Sequence, residues 1–275
     1  MSFSETITAA SRAYQTGWMA RSYIMRLAMV PVILKLFCFA LAITYGSGEG
    51  PETYLRFMLI MLPAILAEGW MLSHYVRFLV LGQTWPFRPS GDMEADLQIL
   101  TIRARGVLSG MIVFALISVV SSILMYGMIV MVSPYLPADP AAAREASAQL
   151  PAHIALTFLV AIPALLWGFR LMWLYVPFAL NIIPANYLGK LRGYASSLHL
   201  ILVWVLCVSP FLLLMRAGSV IVIEPLSGVM GEQAGAFLLV VMSVLVDTAK
   251  AVICTGGITY VVQAFYERGK GRGAV

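Results

Sequence analysis

The sequence predicts an all-α, polytopic membrane bundle of six transmembrane helices with an N-terminal amphipathic interfacial helix, and three observations point there. Apolar side chains make up 61% of the 275 residues and charged ones only 11%, against roughly 45–50% and 25% in a soluble domain. The apolar residues gather into six stretches, near 24–45, 53–73, 106–132, 152–178, 198–216 and 236–264. Each comes close to or exceeds the ~20 residues needed to cross a hydrocarbon core. No segment between them holds enough polar sequence to build a soluble domain. The chain therefore divides into an interfacial helix at 1–22, a transmembrane domain at 23–265 and a basic cytoplasmic tail at 266–275.

The first helix is marked by Ser2 and Glu5 at capping-box spacing, followed by Phe3, Ile7, Ala10, Tyr14 and Trp18 at helical intervals. Such a stripe with Glu5, Arg12 and Arg21 set between its members suits a helix lying on a membrane surface. Residues 1–20 lack the basic start, short apolar centre and small-residue cleavage site of a signal peptide, so the first span is expected to stay as an uncleaved anchor.

Between spans one and two, Gly46–Glu52 reads as a Gly-rich turn, short enough to make those spans an antiparallel hairpin. Asp92–Arg105 is polar enough for a surface helix leading into span three, and Asn181–Ser197 makes a comparable approach to span five. The segment 133–151 is rich in Pro and Ala, and 217–235 is a looser apolar stretch expected to dip into the interface. Arg105, Gly106 and Ser109 recur in spacing as Arg192, Gly193 and Ser196, which hints that spans two and three repeat as four and five.

Basic residues set the orientation. Arg12, Arg21 and Arg26 precede span one; Arg77, Arg88, Arg103 and Arg105 occupy the second loop; Lys190 and Arg192 the fourth; Arg268, Lys270 and Arg272 the tail. The opposite loops hold mainly Arg144 and Arg216, so the positive-inside rule places both termini in the cytoplasm of a bacterial inner membrane. The net charge of +5 comes from bases spread along loop ends with no run among them. Anionic lipid headgroups, rather than nucleic acid, are the expected partners. Cys38, Cys207 and Cys254 each fall in a span without a partner at metal or redox spacing, and read as small hydrophobes.

Four ionisable residues sit inside the spans: Lys35, Glu68, Asp247 and Lys250. Counting at ~1.5 Å per residue from the outer ends places them ~15, ~22, ~17 and ~21 Å deep in a core ~30 Å thick. A charge there costs at least ~2.5 kcal/mol on insertion scales, so all four should face partners or water. Asp247 and Lys250 share a helical face that continues through Ser243, Cys254 and Gly257, and Lys35 is long enough to reach Glu68. Such a cluster serves either as two neutralised pairs that fix helix register or as a relay or site for a proton, an ion or a charged solute. The structural alternative leads, since nothing else completes a transport signature.

Arg170 is expected to extend to the inner interface, with Trp173, Tyr175, Trp70, Tyr75 and Trp85 forming an inner aromatic belt. His74 and Arg77 follow span two as interfacial residues. His153 and His199 are remote from His74, so no metal site is predicted. Pro31, Pro63, Pro163, Pro177 and Pro210 lie within spans, where each removes a backbone donor. Gly106 with Gly110, and Gly256 with Gly257, read as close-approach surfaces. No phosphate loop, dinucleotide fingerprint, H-E-x-x-H or G-x-S-x-G occurs, and neither catalytic residues nor a cofactor are predicted.

The run His74, Arg77, Phe78, Leu79, Val80, Leu81, Gly82 and Gln83, with Arg170, Trp173, Tyr175 and Pro177 much later, resembles an uncharacterised family of six-span bacterial membrane proteins. More distantly, the amphipathic start and the surface helix before span five resemble the membrane domain attached to some glycerophosphoryl diester phosphodiesterases. In that wider family the hydrolase is a separate soluble barrel, so the resemblance implies a non-catalytic membrane module and supplies no site residues. The expectation is a module for assembly, lipid organisation or support of a protein partner or second copy. The alternatives are a small ion-coupled carrier or permease using the buried charges, and then a membrane-embedded enzyme acting on lipid.

Overall fold

The computed structural model describes residues 3–45, 51–132, 152–191, 193–223, 225, 228 and 231–271. Ser2, most of the 46–52 turn, the 133–151 segment, Arg192, part of the 217–235 stretch, the side chain of His153 and the side chains of the basic tail lie outside the described residues. All regular structure among them is helical: α1 (Phe3–Met19), α2 (Arg21–Tyr45), α3 (Pro51–Leu81), α4 (Met93–Val132), α5 (Ala152–Gly168), α6 (Tyr175–Ala179), α7 (Pro184–Lys190), α8 (Tyr194–Gly218) and α9 (Glu232–Gly271). Six helical segments are long and apolar enough to cross a membrane: Arg21–Tyr45, Glu52–Leu81, Met93–Met131, Leu159–Ala179, Tyr194–Ile221 and Gln233–Phe265. Their outward surfaces carry bare Phe37, Leu59, Leu116, Leu213 and Phe237, a density of exposed apolar side chains that suits lipid and not water.

Neighbouring spans run antiparallel, as their contacts show. Tyr23 meets Phe78 while Phe39 meets Phe57 across α2 and α3. Tyr54 stacks on Tyr126 at one end of the α3/α4 pair, and Gly69 lies against Met111 further along. Between α8 and α9, Gly257 abuts Val203 and Cys207, and Gly218 abuts Met242. Small residues let these backbones approach, which is the main source of cohesion where lipid tails are as apolar as the helices.

Several expectations change. The polar approach at 92–105 is not a separate surface helix: α4 runs unbroken through it, capped by Asp92 Oδ1, which accepts from the backbone N–H groups of Glu94 and Ala95. α3 likewise continues past residue 73 to Leu81 and stops at Gly82, whose φ of 65° closes the helix while its N–H bonds the Phe78 carbonyl. Span four is broken. α5 gives way to a 3₁₀ turn at Phe169–Trp173 before α6, because Pro177 has no N–H for the Trp173 carbonyl and its ring crowds that carbonyl. The suggested repeat does not hold locally: Gly106 is packed in mid-helix, whereas Gly193 precedes α8 with φ 90°.

α1 departs most from expectation. Phe3, Ile7 and Trp18 of its apolar stripe are exposed, and the buried face is Thr6, Ala9, Ala10 and Ala13. That small face docks into the bundle. A Cβ at Gly256 would sit 3.4 Å from Ala13 Cβ, and one at Gly17 would sit 2.6 Å from Ile253 Cδ1. Tyr14 donates to the Cys207 carbonyl at 2.8 Å, and the Thr16 and Tyr260 hydroxyls lie 2.6 Å apart. Ala13→Leu should therefore destabilise the protein by about 1–3 kcal/mol through overpacking, read as a lower thermal midpoint in detergent. An unchanged midpoint would mean that α1 rests on the membrane without docking.

Candidate functional site

α2, α3 and α9 bring Lys35, Glu68, Asp247 and Lys250 into one chain of charge. Lys35 Nζ donates to Glu68 Oε1 at 2.8 Å and to Asp247 Oδ2 at 2.7 Å, and Lys250 Nζ donates to Asp247 Oδ1 at 2.5 Å. Two ammonium groups and two carboxylates make the set neutral. Its halves differ in access: the Lys35 and Glu68 side chains are 6% and 10% exposed, while those of Asp247 and Lys250 are 46% and 36% exposed.

All four residues line the first of two cavities, and of the four only Lys250 lines the second as well. The first, of about 460 Å³, is walled by five helices, α2, α3, α4, α8 and α9, and reaches from the charges towards the end of the bundle where α2 meets α3, past Phe39, Met61, Met215 and Ser243. A second, of about 320 Å³, extends the other way past Phe114, Trp173, Tyr175, Trp204 and Thr255. Lys250, Ser118 and Ser122 line both. Lys250 thus stands where two cavities meet, one extending from it towards Ser243 and the other towards Thr255 along α9. Spaces of this size with hydroxyls and charges in their walls have room and partners for several waters or a small polar solute.

A second polar group lies near the end of the bundle shared by Tyr23, Gly82 and Gly106, and the structure places His74 and Arg77 there as buried residues, 3% and 2% exposed. They are covered because α3 continues and the loop after Gly82 folds back, with Trp85 N–H donating to Tyr23 Oη. His74 is held between the rings of Trp70 and Trp85 at 4.9 and 5.1 Å. Arg77 donates from Nε to Gln83 Oε1 at 2.9 Å and from Nη1 to the Ala179 carbonyl at 2.7 Å.

Comparison with family models, with curated proteins and with solved structures gives no match. What the chain does must therefore be argued from its own residues.

Arg170 is buried in the protein and not bare at its surface. It is 8% exposed, donates to the Leu191 carbonyl at 2.7 Å and lies over the Trp167 ring at 4.2 Å. The 3₁₀ turn points it inward, where the chain from α7 into α8 supplies its acceptor. Arg103 is the member that sequence reasoning treated only as a loop base. It is 5% exposed, donates from Nη2 to the Thr84 carbonyl and lies 5.9 Å from the Trp85 ring centre. Its signal in the sequence was its place on the same helical approach as Gly106 and Gly110, the residues that let α4 close on α3.

Proposed function

We propose that this chain is a small ion-coupled carrier of a bacterial inner membrane, with both termini on the cytoplasmic side. In this reading Asp247 exchanges a proton or cation, Lys250 is its movable counter-charge, and Lys35 with Glu68 anchors the site. The observation that supports it best is the position of Lys250 between two cavities that extend in opposite directions along α9, with its partner Asp247 in the wall of the first. A pair whose only task is to hold helices in register needs no such space on either side. Intramembrane ionisable residues that face a cavity commonly mark solute or ion paths. Arg21, Arg26, Arg77, Arg103 and Arg105 gather at the end of the bundle bearing the start of α2, which supports the orientation.

The non-catalytic module for assembly or partner support stands as the second reading, and the largely buried Lys35–Glu68 pair favours it, since buried pairs can serve to specify packing. Proteoliposomes separate the two. With a pH-sensitive dye inside and a panel of small amino and carboxylate solutes outside, the carrier should show solute-dependent proton movement. Asp247→Asn should abolish it while leaving the thermal midpoint near that of the parent, because Lys35 keeps Glu68. Solute-dependent proton movement that survives in Asp247→Asn would sink the assignment. So would a parent protein that moves no proton with any solute while Asp247→Asn unfolds as readily as a Lys35 variant.

A further inference from the structure

Two arginines at the end of the bundle carry charge that no side chain balances among the described residues. Arg77 and Arg103 are both buried, and every acceptor they reach is neutral: the Gln83 amide and the carbonyls of Ala179 and Thr84. Among the described residues the ion pairs are those of Lys35, Lys250 and Arg56, so no carboxylate lies within 4.0 Å of either guanidinium. Two of the acids nearest in sequence are engaged elsewhere, and the third, Glu94, is exposed and forms no ion pair with either arginine. Asp92 caps α4, and Asp96 accepts from the backbone of Ser90 and Gly91 and from the Ser90 hydroxyl. Arg103 Nε and His74 Nδ1 are buried without any hydrogen-bond partner. Buried cations in this state are costly unless an opposite charge comes to them.

Beside them, a groove of about 540 Å³ separates α4 from the turn that ends α6, lined by Thr101, Arg105, Ser109, Phe178, Asn181 and Ile182. Arg105 is exposed there, one residue before Gly106. Gly106 is what brings the buried charge up to the groove: the place where its Cβ would stand is in contact with Arg77 Nη1 and 3.1 Å from Asn181 Nδ2. The groove thus has a guanidinium at its mouth, a second one behind its wall, and the apolar Phe178 and Ile182 alongside.

We propose that this groove binds a phosphate group, with Arg105 as its direct ligand and Arg77 supplying the positive field behind it. Phosphate suits a planar guanidinium that offers paired donors, and its charge offsets the uncompensated cations. The same chemistry is carried by the headgroup of an anionic phospholipid, whose acyl chains would run along the apolar flank, and by soluble phosphate. Binding at this site is independent of the carrier reading, since none of its residues touches the Lys35–Lys250 network.

The experiment uses full-length protein in nanodiscs of phosphatidylcholine alone or with phosphatidylglycerol, and in detergent with inorganic phosphate or chloride. Thermal midpoint and bound lipid are measured for the parent, Arg105→Gln and Arg88→Gln. Selective retention of phosphatidylglycerol, weakened about tenfold or more in Arg105→Gln as expected for a lost charge-assisted bond and unchanged in Arg88→Gln, identifies the lipid. Stabilisation by inorganic phosphate with the same variant pattern, and no lipid preference, identifies a soluble ligand. Neither effect in the parent, or equal losses in both variants, overturns the site. Midpoints taken without either anion show that the variants are folded.

Discussion

Lys35→Met is expected to cost about 3–5 kcal/mol of stability, the usual result of removing one partner from a buried ion pair. The reason is the geometry at its ammonium group, which lies 2.8 Å from Glu68 and 2.7 Å from Asp247 and is the only cation within ion-pair distance of Glu68 among the described residues. Methionine keeps the length of the side chain and removes the charge, so lost packing adds little. Glu68→Gln should do much less harm, because Lys35 then keeps Asp247. The double variant Lys35→Met, Glu68→Gln should recover much of what Lys35→Met loses, since Asp247 retains Lys250. Thermal unfolding of the three variants in one detergent forms a double-mutant cycle, in which the coupling energy isolates the pair. Equal midpoints for Lys35→Met and the parent would show that the three-helix junction is not held by this charge.

The spans could be read from composition because a bilayer demands long apolar runs and permits few exceptions. The same severity made Lys35, Glu68, Asp247 and Lys250 conspicuous, and the helical rise was enough to place them at one depth. Their helical faces could be guessed, but the cavities on either side could not. A cavity depends on how five helices leave space between them, and no single stretch of sequence encodes that.

The stripe read along α1, Phe3, Ile7, Ala10, Tyr14 and Trp18, includes two residues of the docking side, Ala10 and Tyr14, but the rest of that face is small residues and Thr6 that register weakly in a hydropathy pattern. The spacing of Ala9, Ala13 and Gly17 was visible, but close approach only has meaning once Gly256 and Gly257 are known to lie opposite. The burial of His74, Arg77 and Arg103 was hidden for a related reason. Polar residues after an apolar run look interfacial, and their burial here depends on the loop after Gly82 returning to Tyr23 and on α4 closing against α3 and α6. Arg170 was lost to a helix break whose cause, Pro177, was noted without its consequence four residues earlier.

Gly106→Ala is expected to be the most damaging single methyl in the protein, at about 2–5 kcal/mol, combining overpacking with the loss of a hydrogen bond from a buried charge. The added carbon would collide with Arg77 Nη1 and stand 2.7 Å from the Ala179 carbonyl oxygen. Those are the two ends of the Arg77–Ala179 hydrogen bond, so the contact cannot be relieved without parting them or moving α4 away from α6. Gly127 supplies the comparison within the same helix. A Cβ there meets nothing within 4 Å, and Gly127→Ala should stabilise by about 0.5–1 kcal/mol through backbone entropy alone. Both substitutions add one methyl to α4, so the difference between their thermal midpoints measures the contact at Gly106 without any change in helix propensity. Similar midpoints would mean that Arg77 has room to withdraw, and that its charge is not fixed against the groove.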